Sequence, residues 1–219
     1  MITTKNLFDL SHSLASPLLE KTEYPWEALD HIKDFILALG KTLPEAEYDQ
    51  PSPGVWIARD ASVAPSAHIG APCIIGHKTE VRQCAFIRGS ALIGDGAVVG
   101  NSTEIKNAIL FDGVQVPHFN YVGDSILGYK SHLGAGAVTS NVKSDKTPVS
   151  VRSGDEVYST GRKKLGAMVG DYAEVGCNSV LNPGTVLGRH AAVYPLSSVR
   201  GTVPENHICK GDRGIFPRK

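Results

Sequence analysis

The sequence predicts a mainly β protein, a parallel solenoid of short strands stacked coil on coil. Two patterns and the composition carry the prediction. Nine β-branched aliphatics, Ile57, Val63, Ile69, Ile75, Val81, Ile87, Ile93, Val99 and Ile105, recur at strict six-residue spacing. Four residues after each comes Ala61, Ala67, Cys73, Thr79, Ala85, Ala91, Ala97, Thr103 and finally Ile109, so all but the last are small. A six-residue period fits neither a helix nor an uninterrupted strand, but it fits a short strand followed by a tight turn. The aliphatic fills the interior and the small residue sits where the chain bends and room is scarce. Glycine (23) and proline (13) are plentiful while aromatics are only 7 %, which suits many short strands and turns.

Three segments follow from these patterns. Residues 1–50 form a helical arm and linker. From Pro25 to Leu39 the chain places Leu29, Ile32, Ile36 and Leu39 on one face, with Pro25 in the first turn and Gly40 as the stop, and the acidic, proline-bearing stretch Pro44–Pro53 reads as linker. An amphipathic face of this kind must pack on something. Residues 51–206 form the solenoid. Its phase is lost at Phe111 and Pro117, returns at Leu127 and Leu133, and resumes at Val169, Val175, Leu181, Leu187, Val193 and Val199. Residues 140–165 interrupt it. There Val149-Ser-Val-Arg, a Ser153-Gly-Asp turn and Glu156-Val-Tyr predict a β-hairpin excursion, and an excursion from so regular a frame is expected to be functional. Residues 207–219 are a basic tail without the repeat.

Composition narrows the function classes. Lysine plus arginine (22) balance aspartate plus glutamate (22), so no global basic field argues for nucleic acid. No apolar run approaches the length of a membrane span, and the N-terminus has no signal-peptide pattern. Cys73, Cys84, Cys177 and Cys209 are widely spaced and form no CxxC pair. They read as reduced thiols of a cytoplasmic protein, not as a disulfide framework or zinc site.

The segments Val99-Gly-Asn-Ser-Thr-Glu-Ile-Lys106, His118-Phe-Asn-Tyr121-Val-Gly-Asp124 and Leu133-Gly-Ala-Gly136 with Asn141 resemble the acetyltransferase domain of the bifunctional N-acetylglucosamine-1-phosphate uridyltransferase/glucosamine-1-phosphate acetyltransferases. Ser159-Thr-Gly-Arg-Lys-Lys-Leu-Gly166 is similar to the archaeal sugar-1-phosphate nucleotidylyltransferases with a fused acetyltransferase domain. The resemblance covers residues 60–205. It implies a left-handed parallel β-helix of hexapeptide repeats, three hexapeptides to a coil, assembled as a homotrimer with the site between neighbouring prisms. It implies transfer of an acetyl group from acetyl-CoA, as co-substrate, to an amino-sugar phosphate, with no tightly bound metal, no nucleic acid and no membrane. The nucleotide loop of the bifunctional enzymes has no counterpart in residues 1–50, so uridyltransfer is not expected.

Residue by residue, the resemblance makes His118 the catalytic base, a role that suits the ordinary pKa of imidazole. Arg88, Lys106 and Tyr121 match sugar-phosphate ligands. A guanidinium fork, a point charge and a phenol donor suit a phosphate monoester. Arg88 and Lys106 are three hexapeptides apart, so they stack on one edge if three hexapeptides make a coil. His132 stands where the bacterial family carries an Asn that contacts the sugar. Asn141 matches a residue near the acetyl and pantetheine end. Gly134 and Gly136 permit tight turns and close ligand approach, and Lys146, Arg162 and Lys163 offer charge to the phosphates of the co-substrate.

Each of these side chains also has an ordinary structural reading, as a core histidine, a solvated charge or a turn asparagine. Two other functions use the same frame. A γ-type carbonic anhydrase needs a histidine pair five residues apart beside a distant third, whereas the position five after His118 is Gly123. A non-catalytic scaffold, or a partner of a sugar nucleotidyltransferase, has no need of the Arg88/Lys106/His118/Tyr121 set.

Overall fold

The computed structural model describes residues 2–218 and is a left-handed parallel β-helix behind a helical N-terminal arm. Short strands, most of them two to four residues long, alternate with turns, and each solenoid strand pairs in parallel with the strand one coil later. Register gives the coil length directly. Ser62 pairs with Glu80, His68 with Phe86 and Cys73 with Ala91, so the repeat is three hexapeptides and three strands. The three strands of each coil define three faces. The first carries eight parallel strands from Ser62–Val63 to His207–Cys209, the second runs from His68–Ile69 to Ser198–Val199, and the third from Val55–Ala58 to Thr202–Val203.

The six-residue period has the expected cause. From Val81 to Ile105 each aliphatic of the series is fully buried, and so is each small partner from Cys73 to Thr103. Buried hydroxyls close open carbonyls at the turns: Thr79 Oγ1 donates to the Gly94 carbonyl at 2.6 Å, and Thr103 Oγ1 to that of Val116 at 3.0 Å. The third residue of most hexapeptide turns takes the left-handed conformation, Cys84, Ser102 and Phe119 among them.

The loss of phase at Phe111 and Pro117 is a change of coil length. Ile105 pairs with Ile87, a full three hexapeptides back, but Ala108 pairs with Ala91, one position short of that. The corner between second and third faces has lost one residue there, and again in the next coil, where Lys106 pairs with Gly123 and Ala108 with Ser125. Two unbroken seven-residue strands, Glu104–Leu110 and Tyr121–Leu127, therefore turn this corner through Asn107 and Asp124, both at φ 48°. Ala108, not Ile109, is the small inward residue of that coil.

Ile109 instead belongs to an outward apolar stripe on the third face, Ile74, Leu92, Ile109, Ile126 and Met168, each the middle residue of a strand triplet and each at most 1 % exposed. The arm covers it. The helix Ile32–Gly40 packs on the strands Cys73–Ile75, Ala91–Ile93 and Glu104–Leu110, and Trp26, Leu29, Ile32 and Ile36 join the same core. Burying five aliphatic side chains of this size is worth on the order of 1.5–3 kcal/mol each, which explains a long, well-docked arm.

Three details differ from the sequence expectation. The helix expected over Pro25–Leu39 is two pieces, a 3₁₀ turn Pro25–Asp30 and an α-helix Ile32–Gly40 joined at His31, because the arm must bend to follow the flat face. The stretch Pro44–Pro53 contains a strand, Tyr48–Ser52, antiparallel to Val55–Ala58, which closes the exposed edge of the first coil. In the tail, His207–Cys209 still stacks on Ala192–Val193, and Ile215–Pro217 folds back antiparallel to close the other end. The excursion is a hairpin of Ser150–Ser153 and Glu156–Ser159, leaving and re-entering the solenoid at the second-to-third-face corner. There Leu165 N donates to the Asn141 carbonyl and Gly166 N to that of Asp124.

Candidate functional site

The shortened corner gathers most of the sequence-predicted polar residues. Successive coils bring Arg88, Lys106, Asp124 and Asn141 to one edge, and the coil from Arg88 to Lys106 keeps its full three hexapeptides. Asp124 is the hub. Its side chain is 4 % exposed and accepts from Asn107 Nδ2 at 2.9 Å and Asn141 Nδ2 at 2.6 Å, with Lys106 Nζ 3.3 Å away. Asn141 Nδ2 also reaches the Tyr121 hydroxyl at 3.1 Å. Arg88 Nη1 pairs with Glu104 Oε1 at 2.8 Å, and Glu104 is the register partner of Tyr121. Burial, with Asp124 and Glu104 beside it, pushes the Tyr121 phenol above its ordinary pKa, so it stays a neutral donor.

Glu104, Asn107 and Asp124 were given no role by sequence reasoning, although the first and last lie inside the quoted motifs. The available signal was positional: an aspartate three hexapeptides after a lysine lies one coil above it and answers that charge.

His118 is at the other edge of the second face. It ends the strand Gln115–His118 at the corner between first and second faces, exposed, and its backbone N–H donates to the buried Asn120 carboxamide oxygen at 3.1 Å. Asn120 in turn donates to the carbonyls of Gly134 (2.8 Å) and Ala137 (3.0 Å), tying His118 to the glycine turn one coil on. Tyr121 lies between the two edges, three residues from His118 and three from Asp124. The imidazole has no hydrogen-bond partner among the described residues. It is therefore free to meet a substrate.

Gly134 and Gly136 share the His118 corner. Gly136 N donates to the His118 carbonyl, and at φ 71° a side chain there would collide with Asn178. Both glycines are explained by coil stacking. His132 lies on the first face, not beside Lys106 and Tyr121 of the same chain. Its Nδ1 is 2.9 Å from Glu174 Oε2, its register partner, in a groove with Gln115 and Lys130. Lys146 and Lys163 are exposed on the excursion, whereas Arg162 pairs with Asp30 of the arm and donates to the Lys164 carbonyl, so it holds the hairpin to the arm. No group of three or more histidine, cysteine, aspartate or glutamate side chains is arranged to hold a metal among the described residues. No helix among them is long and apolar enough to cross a membrane.

This geometry can be set beside known proteins. A family model described as the GMPPB C-terminal domain matches residues 72–203, well over half of the chain and every coil that contributes to the corner. The chain belongs to that family. Its curated relatives include a bifunctional sugar-1-phosphate nucleotidylyltransferase/acetyltransferase of Sulfurisphaera tokodaii, 35 % identical over 98 residues, covering 45 % of this chain and 24 % of the relative. The bifunctional protein GlmU of Methanococcus maripaludis is 32 % identical over 116 residues, covering 52 % and 28 %. The chain thus spans about a quarter of the length of these relatives. Among solved structures, a variant of the perosamine N-acetyltransferase of Caulobacter crescentus, in complex with CoA and GDP-perosamine, aligns over 74 % of this chain and 56 % of its own, at 19 % identity and TM-score 0.40. The polySia-specific acetyltransferase NeuO aligns over 76 % and 88 %, at 12 % identity and TM-score 0.42.

Proposed function

We propose that this protein is an acyl-CoA-dependent N-acetyltransferase acting on an amino-sugar phosphate of the glucosamine-1-phosphate type, with its site completed in a homotrimer. The observation that carries the proposal is the second face itself. A free, exposed imidazole stands at one edge and Lys106, Asp124 and Asn141 at the other, joined through Asn141 to Tyr121 between them, with Arg88 one coil below Lys106. The names of the relatives supply the reaction class.

In this mechanism the sugar amine attacks the thioester carbonyl of acetyl-CoA, a C–N bond forms and the C–S bond breaks. His118 takes the proton from the attacking nitrogen and passes it to the departing thiolate. Tyr121, kept neutral, donates to the sugar or its phosphate, and Arg88 and Lys106 supply positive charge. Asn141 orients the Tyr121 hydroxyl from the coil above.

The test is release of free CoA thiol from acetyl-CoA with glucosamine-1-phosphate as acceptor. Replacing His118 with Ala or Asn is expected to lower kcat by on the order of 10²–10⁴, the usual worth of a general base. Unchanged turnover in His118→Asn sinks the assignment of the base. One observation favours a second reading, a non-catalytic scaffold: both cations of the cradle are already paired, Arg88 with Glu104 and Lys106 with Asp124. Absence of thiol release with any amino-sugar phosphate, from a folded protein, would decide for the scaffold.

A further inference from the structure

We infer that the cleft between the arm and the excursion hairpin is a binding site for an organic cation of the quaternary-ammonium class. The cleft, about 410 Å³, is lined by Tyr24, Trp26, Glu27 and Asp30 of the arm and by Tyr158 and Arg162 of the hairpin. It has no part in the acyl-transfer site proposed above.

Tyr24, Trp26 and Tyr158 are the aromatic part of its lining, and the remaining lining residues are polar or charged. Tyr24 stacks on Trp26 with ring centroids 4.8 Å apart and planes 6° from parallel, and Tyr158 meets Tyr24 at 5.4 Å and 56°. Two phenol planes at that angle make a wedge whose π-faces present negative potential to whatever enters it, the arrangement that favours an alkylated ammonium over a neutral group of equal shape.

The charge around the wedge has the same sign. Arg162 and Asp30 neutralise one another. Glu23, Glu27 and Glu156 meet no cation within ion-pair distance among the described residues. Glu27 uses one oxygen to accept from the backbone N–H groups of Glu23 and Tyr24, at 2.9 and 3.1 Å, and Glu156 accepts from the Tyr158 hydroxyl. Both acids are fixed in place by these bonds, yet neither is balanced. Burial and these carboxylates raise the Tyr24 phenol above its ordinary pKa, and the hydrogen bond to Glu156 with the same charges does so for Tyr158. Surface glutamates ordinarily lie over water. Here three converge on an aromatic wedge with no counter-charge, and a compact organic cation supplies both the charge and the apolar surface that the wedge lacks.

The occupant would touch two segments far apart in sequence, joined now by the Arg162–Asp30 pair. The hairpin leaves the solenoid directly after Asn141, so a ligand that clamps hairpin to arm also stiffens the chain entering the second-face site.

The probe is choline, with the isosteric neutral alcohol 3,3-dimethylbutan-1-ol as its control. The chain has two tryptophans, Trp26 and Trp56, so a Trp56→Phe protein reports Trp26 alone by fluorescence. Choline is expected to change that emission saturably, and the neutral alcohol to require at least a fivefold higher concentration. Tyr158→Leu should weaken choline at least fivefold, and Glu27→Gln with Glu156→Gln should do the same, while Tyr158→Phe retains binding. Tyr158 is on the half-exposed hairpin, and an unchanged melting temperature for Tyr158→Leu separates lost binding from lost folding. Equal response to choline and the alcohol, no saturable response up to tens of millimolar, or unaltered binding in Tyr158→Leu each overturns the site.

Discussion

Asp124 offers the sharpest test of the corner. Its carboxylate is 4 % exposed and answers three donors at once, and its backbone sits at φ 48°. Replacement by alanine leaves Asn107 Nδ2 without an acceptor and Asn141 Nδ2 with the Tyr121 hydroxyl alone. Both are half-buried, so each lost bond costs about 1 kcal/mol. The Lys106 side chain is 26 % exposed and regains some water, which limits the lost ion pair to about 1 kcal/mol. An alanine held in the left-handed region adds about 1 kcal/mol. Together these place Asp124→Ala about 4 kcal/mol below the parent. Asn tolerates that conformation and keeps one acceptor oxygen, so Asp124→Asn should cost only about 2 kcal/mol. For a chain of this size the melting temperature falls by about 2–4 °C per kcal/mol, so the two variants should separate clearly in a thermal scan. Urea denaturation checks the free energies. A cycle with Lys106→Met isolates the charge, with a coupling of about 1 kcal/mol expected from contacting residues. An Asp124→Ala protein within about 1 kcal/mol of the parent, or equal in stability to Asp124→Asn, would refute the hub.

Three more outcomes follow from the packing. A methyl group at Gly40 would overlap the indole of Trp56, so Gly40→Ala should destabilise by about 1–3 kcal/mol of overpacking, and pairing it with Trp56→Leu in a denaturation series should recover most of the loss. Asn120→Ala strands the Ala137 carbonyl and the His118 N–H and leaves the Gly134 carbonyl with the Ala137 N–H alone. It should cost about 2–4 kcal/mol, and because it loosens the His118 turn, residual thiol release should show a lowered kcat with little change in KM for acetyl-CoA. Tyr48 has its phenol pushed up to about 12 by burial and by Asp95, Glu47, Asp60 and Asp112. A pKa raised in the folded state gives stability that is complete below the unfolded value near 10 and is lost as pH rises through the folded value. Denaturation midpoints should therefore fall between about pH 10 and 12, by less in Tyr48→Phe, and ultraviolet titration should show the late phenol.

What was legible in the sequence, and what was not, divides along inward and outward positions. Inward positions have one partner environment, the stacked coil above and below, so Ile57 to Ile105 and their small companions could be read with no knowledge of anything else. The frame, the arm and the excursion followed. Outward positions depend on what covers them. Leu92 and Ile109 fit either a bare surface or an arm, and only the docking of Ile32–Gly40 distinguishes the two. Coil length was hidden for a related reason. The missing residue after Ile105 shifts the small position to Ala108, and the sequence offers an equally plausible aliphatic at Ile109 to keep the old phase.

The candidate site has the same division. Arg88 and Lys106 were predicted to stack because their separation equals one coil, and register places them so. His118 and Tyr121 carry a motif, but a motif fixes only chain order. It does not say that His118 ends the first face while Tyr121 opens the second, with a whole face-width before Lys106. The carboxylates were hardest to see, because an acid earns its place by answering a charge on another coil. Asp124 meets Asn107, 17 residues back, because two consecutive corners each lose a residue, and Lys106, 18 residues back, lies beside it. Restoring a residue at one of them, for example a glycine inserted after Lys106 to mimic Arg88-Gly89-Ser90, should leave the solenoid folded, because the full-length corner is used one coil earlier. It should separate Asn107 from Asp124 and remove the coupling of that pair in a double-mutant cycle. A coupling that survives the insertion would mean that the short corner is not what brings the two side chains together.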